Sequence, residues 1–297
     1  MLKRYKLIIG IVILIMAIIA GAYTVLASIS DSKAKSSNEL YQTYTKDSFI
    51  YINENGEEVI KLDKSKYDVA GTFHDDRVFV GKIVKEYGYV MDYEQYIAKM
   101  SILDTKGNIV KELPYNIKVC PALDIVPQFN NYKADVTLED NAILTLDING
   151  EKVETTSRNT EKPDINANIN DGFSHSYDYP IDKDALRPFA YGGNSGDEYI
   201  AYKNANGKVV IDLKTANPYG SGDNTRDVHF YNGVAMVFGS HTDPQRRFIN
   251  AKGQYINDDT YDYATPFWRK LAFVSVGNKY GYINTKGEWV WTGTYEE

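Results

Sequence analysis

This sequence of 297 residues holds one cysteine, Cys120. That scarcity excludes a disulfide framework and a multi-cysteine zinc site. Proline is sparse, with nine residues, and neither a Gly-x-Ser-x-Gly elbow nor a phosphate-cradling glycine loop occurs. The four histidines, His74, His175, His229 and His241, lack a metal-ligand spacing such as HxxxH. Positive charge is also short. The chain carries 33 basic and 40 acidic side chains. Three of the basic ones, Lys3, Arg4 and Lys6, lie in the first 30 residues, where no acidic residue occurs, so the remainder has a net charge of -10. Such a surface repels nucleic acid and anionic lipid. With 43% hydrophobic, 25% charged and 13% aromatic residues, the chain is neither disordered, collagen-like nor a polytopic membrane protein. The 25 tyrosines and 22 glycines favour β-structure, since aromatic rings suit a pleated, half-buried surface.

The run Leu7–Leu26 contains no charge. As a helix it spans about 30 Å, the thickness of a bilayer's hydrocarbon core. Its basic flank is expected to stay cytoplasmic, placing the bulk of the chain outside the cell membrane as a single-pass protein. Residues 1–28 therefore read as a membrane anchor or a signal peptide. The run exceeds the usual apolar core of a signal peptide, yet Val25-Leu26-Ala27 permits cleavage near Ala27, which would make the protein secreted. The small polar stretch Ser30–Glu39 opens a flexible linker over 29–46. An extracytoplasmic β-repeat domain is then expected over 47–297.

Six segments of that domain share one pattern. Each has an apolar stretch, then Asn or Asp, any residue, Asn or Lys, and Gly: Asn53–Gly56, Asp104–Gly107, Asp147–Gly150, Asn204–Gly207, Asn250–Gly253 and Asn284–Gly287. Asn or Asp at the first position of a type I turn accepts from its own following backbone. Gly at the fourth takes the left-handed conformation that closes a bulged hairpin. The looser match Asn/Asp-x-x-Gly also occurs at Asp68–Gly71 and Asn217–Gly220, so the apolar flanks carry the specificity. The last copy shows a whole unit: a strand Leu271–Val276, the hairpin signal Gly277-Asn278, a returning strand Lys279–Ile283 and a third at Trp289–Trp291. Upstream, Tyr261–Phe267 echoes Tyr67–Phe73. The fold class expected is all-β, with about six degenerate β-meanders in tandem, arranged as a propeller-like ring or an open stack. Turn spacings of 34 to 57 residues suit four-stranded blades with variable loops.

Phe230-x-x-Gly233-Val234-Ala235-x-Val237 and Tyr280-Gly281-Tyr282-Ile283-Asn284-x-x-Gly287 resemble the bacterial WG-containing repeat. The family's usual Trp before Gly is Tyr280 here, and Tyr87 before Gly88 offers an earlier aromatic–Gly pair. The resemblance implies a fold and a compartment, and no shared catalytic residues or cofactor.

Chemistry-bearing candidates are few. Asp164-x-Asn166-x-Asn168 starts like a calcium loop, but Ile169 and His175 replace its Gly and Glu. Cys120 reads as a small buried hydrophobe. The acidic pairs Glu57-Glu58, Asp75-Asp76 and Asp258-Asp259 are sequence neighbours, which does not span a glycosidase cleft. Trp268, Trp289 and Trp291 remain as an aromatic platform for a ligand, with Trp289 and Trp291 expected on one face of the last strand by alternation; core packing is the competing role. The reading is a membrane-anchored module that binds a protein or a cell-envelope polysaccharide, without catalytic, metal or cofactor residues. Its rivals are a glycan hydrolase with carboxylates from different repeats and the sensory ectodomain of an envelope complex. Phe49–Ile52 is expected to pair in one blade with Trp289–Trp291 and so close a ring.

Overall fold

The computed structural model describes residues 40–153, 186–192, 199–216, 228–240 and 243–295. Leu7–Leu26, the calcium-like segment at Asp164, His175, His241 and the Asn217–Gly220 match lie outside the described residues. Among the described residues no helix is long and apolar enough to cross a membrane.

The described chain is all-β and folds as six small antiparallel sheets in sequence order. The first meander contains β1 (Tyr41–Tyr44), β2 (Ser48–Ile52) and β3 (Glu58–Asp63). The second contains β4 (Val69–Ala70), β5 (Arg77–Val90), β6 (Tyr93–Asp104) and β7 (Ile109–Val119). The third has β8 (Lys133–Thr137) and β9 (Ile143–Asp147), and the fourth β10 (Arg187–Tyr191), β11 (Tyr199–Lys203) and β12 (Val209–Ala216). In the fifth are β13 (Phe230–Tyr231), β14 (Val234–Ser240) and β15 (Asp243–Asn250). The sixth holds β16 (Tyr263–Ala264), β17 (Leu271–Val276), β18 (Lys279–Asn284) and β19 (Trp289–Thr294).

One turn chemistry recurs in all six. Asn53 Oδ1 accepts from the backbone N–H groups of Asn55 and Glu57 at 2.9 and 3.0 Å. Asp104, Asp147, Asn204, Asn250 and Asn284 each accept the same pair of donors, two and four residues ahead. The six turn glycines hold φ between 75° and 82°, a region that an L side chain resists. Just before four of these turns the register slips by one, between Tyr51 and Ile52, Ile102 and Leu103, Tyr202 and Lys203, and Tyr282 and Ile283. The slip is a β-bulge, and it lets a three-residue loop close without splaying the strands.

The two echoing segments are structural equivalents. β4 pairs with β5 at Val69↔Gly81, and β16 pairs with β17 at Tyr263↔Ser275. Asp68 is thus not a turn residue of the repeat. Its Oδ2 accepts from Ile83 N at 2.9 Å, as Asp262 Oδ2 accepts from Gly277 N at 2.7 Å.

Two expectations about the start of the domain are corrected. Residues 41–44 form β1, so the segment read as linker over 29–46 includes a strand of the first meander. Apolar Tyr41 is the reason: it is 3% exposed and pairs with Ile52. Phe49–Ile52 pairs with β1 and β3, while β19 pairs with β18. The first and last sheets share no strand. They nevertheless touch, through a core of Tyr41, Ile50 and Ile52 from the first meander and Trp268, Leu271 and Tyr282 from the sixth. Other cores join the first meander to the second, the second to the third, and the fourth through the fifth to the sixth.

Candidate functional site

The tryptophans do not assemble a platform. Trp268 is 8% exposed and meets the Tyr41 ring edge-on at 5.3 Å, inside the core between the first and last meanders. Trp289 and Trp291 are half-buried and serve different cores. Alternation would align them, but the bulge pairs Tyr282 with Trp291 and Ile283 with Trp289, inserting Val290 as the extra residue. Trp291 therefore packs with Tyr280 and the seam to the first meander, and Trp289 packs toward Tyr261 at 6.3 Å. The Lys279 ammonium covers the Trp289 ring at 3.9 Å from its centroid. Core packing accounts for these rings.

Tyrosine two places before the turn residue links successive meanders. Tyr51 OH donates to Gly71 O at 2.7 Å and Tyr202 OH to Val228 O at 2.9 Å, each reaching the next meander. Tyr282 OH donates to Gln42 O at 2.5 Å, carrying the same link from the sixth meander to the first. Burial pushes all three phenols well above their ordinary range, so they act as permanent donors. The turns dock in the opposite sense. A Cβ on Gly107 would meet Ile60 of the preceding meander, on Gly253 it would meet Ile211, and on Gly287 it would meet Asn257 at 2.7 Å. Gly150 sits likewise on Lys111. Gly56 completes the series, because its Cβ would lie 1.8 Å from the carbonyl oxygen of Val290 in β19. Of the six turn glycines, Gly207 alone has open space among the described residues. Lys270 N donates to Tyr41 OH at 3.2 Å, and Tyr280 OH donates to Tyr44 O, adding to the seam.

The aromatic–Gly pair of the last repeat is a packing device. A Cβ on Gly281 would approach Trp291 O to 2.1 Å, and one on Gly293 would strike the Tyr280 ring at 2.7 Å. Tyr87-Gly88 does not occupy this place. It lies on β5, whereas the residues four and three before Asp104 are Met100 and Ser101 on β6.

Among the described residues no three His, Cys, Asp or Glu side chains converge to hold a metal. Glu57, Asp258 and Asp259 are exposed loop residues, and Glu58 is exposed at the start of β3. Asp75 and Asp76 both take left-handed φ in a two-residue turn, and Asp75 Oδ2 accepts from Tyr132 N at 2.8 Å. The Cys120 thiol is buried, which raises its pKa, and it donates to Glu94 O at 3.3 Å. His229 has its pKa lowered by burial, and His74 lies 6.1 Å from Trp268.

A different aromatic group is exposed, and sequence reasoning missed it. β5 and β6 run 14 and 12 residues against 6 and 6 for their counterparts β17 and β18. The sixth meander closes at Val276↔Lys279, and the matching pair in the second is Lys82↔Lys99. Residues 83–98 are therefore an added arm. Val84, Tyr87, Tyr89, Met91 and Tyr93 are exposed on it, Tyr89 by 74%. Its base is fixed: β7 accompanies β6 as far as Tyr96↔Val119, Lys85 pairs with Glu139, and the buried Lys118 ammonium sits 3.8 Å from the Tyr87 ring centroid. The available signal was the length of the strand-like sequence between Arg77 and Asp104.

Residues 247–280 and 280–297 match the WG containing repeat family. The crystal structure of BamB from Moraxella catarrhalis is similar at a TM-score of 0.26, with 14% identity over 88% of this chain and 89% of that chain. No curated protein matches the sequence. The matched residues run from β15 through the whole sixth meander, with its Asn284–Gly287 turn and its Tyr280-Gly281 pair, so the WG-containing repeat is found at residues 247–297 of this chain.

Proposed function

We propose that this chain is a non-enzymatic, extracytoplasmic binding module, tethered to the cell membrane by Leu7–Leu26, whose six meanders close as a propeller-like ring. The ring is supported over an open stack by the seam, where Tyr282 and Gly56 repeat between last and first meanders the links made between neighbours. The observation that carries the binding role is the arm. Most large aromatics of this scaffold are consumed in cores, and five apolar side chains are displayed on one projecting hairpin. Exposed apolar groups concentrated in one place mark an interaction surface.

The start of β1 and the arm lie at opposite ends of their strands. β1 begins at Tyr41, opposite Ile52 and beside the Asn53 turn, whereas the arm grows from the hairpin end of β5 and β6. The address is tested by fractionating cells and treating them with external protease. The full-length protein is expected in membranes with its bulk digested, and recovery in the medium from about Ser28 would replace the anchor with a cleaved signal. Binding is tested by placing a photo-crosslinking residue at Tyr89 or at the exposed Val59 in cells. Adducts are expected at position 89; their absence from every exposed position would sink the binding role.

A further inference from the structure

We infer that the arm of the second meander docks on a cationic, apolar surface of a protein partner, an inference that rests on the reading of this chain as a binding module. From Glu86 to Ala98 the arm contains Glu86, Asp92 and Glu94 and no basic residue. All three carboxylates are exposed and alternate with Tyr87, Tyr89, Met91 and Tyr93. Of the lysines at the base of the arm, Lys82 pairs with Asp68 at 2.7 Å, Lys85 with Glu139, and Lys118 with Asn141 and the Tyr87 ring, while Lys99 is exposed beside Lys82. The tip is therefore an acidic and aromatic surface on a domain already rich in negative charge. Aromatic and methionine side chains bury large areas at interfaces. Carboxylates among them select a positively charged counterpart and reject an anionic one, including an anionic lipid surface.

The mode of contact is side-chain docking. Beyond Ile83 the outer edge of β5 pairs with no strand among the described residues, which would invite strand addition. Two register shifts, at Ile83/Lys85 and Glu86/Gly88, interrupt that edge. Bulges and lysines on an edge strand disfavour pairing with another chain. The bulged residues Val84 and Tyr87 are both exposed, so the same distortion that guards the backbone presents side chains.

The test uses the full chain in detergent. Random peptides displayed on phage are selected on it, and photo-crosslinked adducts from position 89 are mapped on their partner by mass spectrometry. Selected peptides rich in Lys or Arg with apolar residues, and adducts on a patch of the same character, are expected. Binding of a selected peptide should fall about tenfold or more in the triple variant E86K/D92K/E94K and in Y87S/Y89S/M91S. It should also weaken from about 0.05 to about 0.5 M salt. Circular dichroism of both variants checks that the fold is kept. Unchanged or tighter binding by the charge-reversed variant overturns the inference. So does selection of acidic or unbiased peptides, or a blue-shifted fluorescence of Tyr89→Trp with phosphatidylglycerol vesicles. Peptides that bind equally well after residues 83–98 are replaced by Gly-Asn also overturn it, while leaving the binding module itself standing. A failure of any peptide or adduct to appear removes both.

Discussion

Tyrosine does opposite work in two regions of this molecule. At the seam between first and last meanders, Tyr41 and Tyr282 are 3% and 9% exposed, their rings 5.6 Å apart and their hydroxyls bonded to backbone across the junction. On the arm, Tyr89 and Tyr93 stand in solvent, and Tyr87 is exposed on one side while its ring meets Lys118. The difference is register. A ring two places before the turn residue faces the next meander, and a ring on an inserted hairpin faces no meander. Position within the repeat, more than residue type, decides whether an aromatic is structural or available.

The sharpest way to break that comparison is truncation. Trp268→Ala at the seam is expected to cost about 3–5 kcal/mol in denaturant unfolding, because a filled core would become a cavity. Tyr89→Ala on the arm is expected to change stability by less than about 0.5 kcal/mol. Equal losses would mean that the arm is packed against the scaffold. Backbone contacts give the next effect. Gly207→Ala carries only the strain of positive φ, about 1–3 kcal/mol. Gly56→Ala adds a collision with Val290 O and should be clearly worse, by a melting-temperature comparison of the two. If the two variants melt alike, the first turn does not lean on the last strand.

Smaller still are the hydroxyl links. Tyr51→Phe and Tyr202→Phe leave the Gly71 and Val228 carbonyls without that donor, and each is expected to lose about 1–2 kcal/mol. The smallest effect concerns pH. Burial lowers the His229 pKa from its ordinary 6.5, so the unfolded chain takes up the proton first as pH falls. Stability is then full above the unfolded value and declines below about 6.5. His229→Gln should flatten that decline in thermal melts across the window, and an unchanged slope would assign it to other groups.

The repeated turns were fully legible because their chemistry is local: an Asn or Asp, a Gly and the three or four backbone groups between them. The number of meanders followed from the turns. What was not legible depends on one-residue register and on distant neighbours. The bulge before Asn284 adds Val290 opposite Tyr282 and Ile283, and so separates Trp289 from Trp291. No alternation rule carries that information. β1 was read as linker because Tyr41–Tyr44 has two polar residues among four, and its burial comes from Trp268 and Tyr282, more than 200 residues away. The arm was missed for the converse reason: Tyr87-Gly88 mimics the aromatic–Gly signature at a place the repeat does not use.

The location of β1 has a mechanical consequence. It is the first described strand after residues 1–39, and it is also a strand of the first meander that packs against the last. A pull on the chain ahead of Leu40, directed along the strand, loads its pairs with β2 together with the Tyr282 and Lys270 bonds. Force from that end would thus reach both sides of the closure at once, as a drawstring tightens a purse, before it reached any other meander.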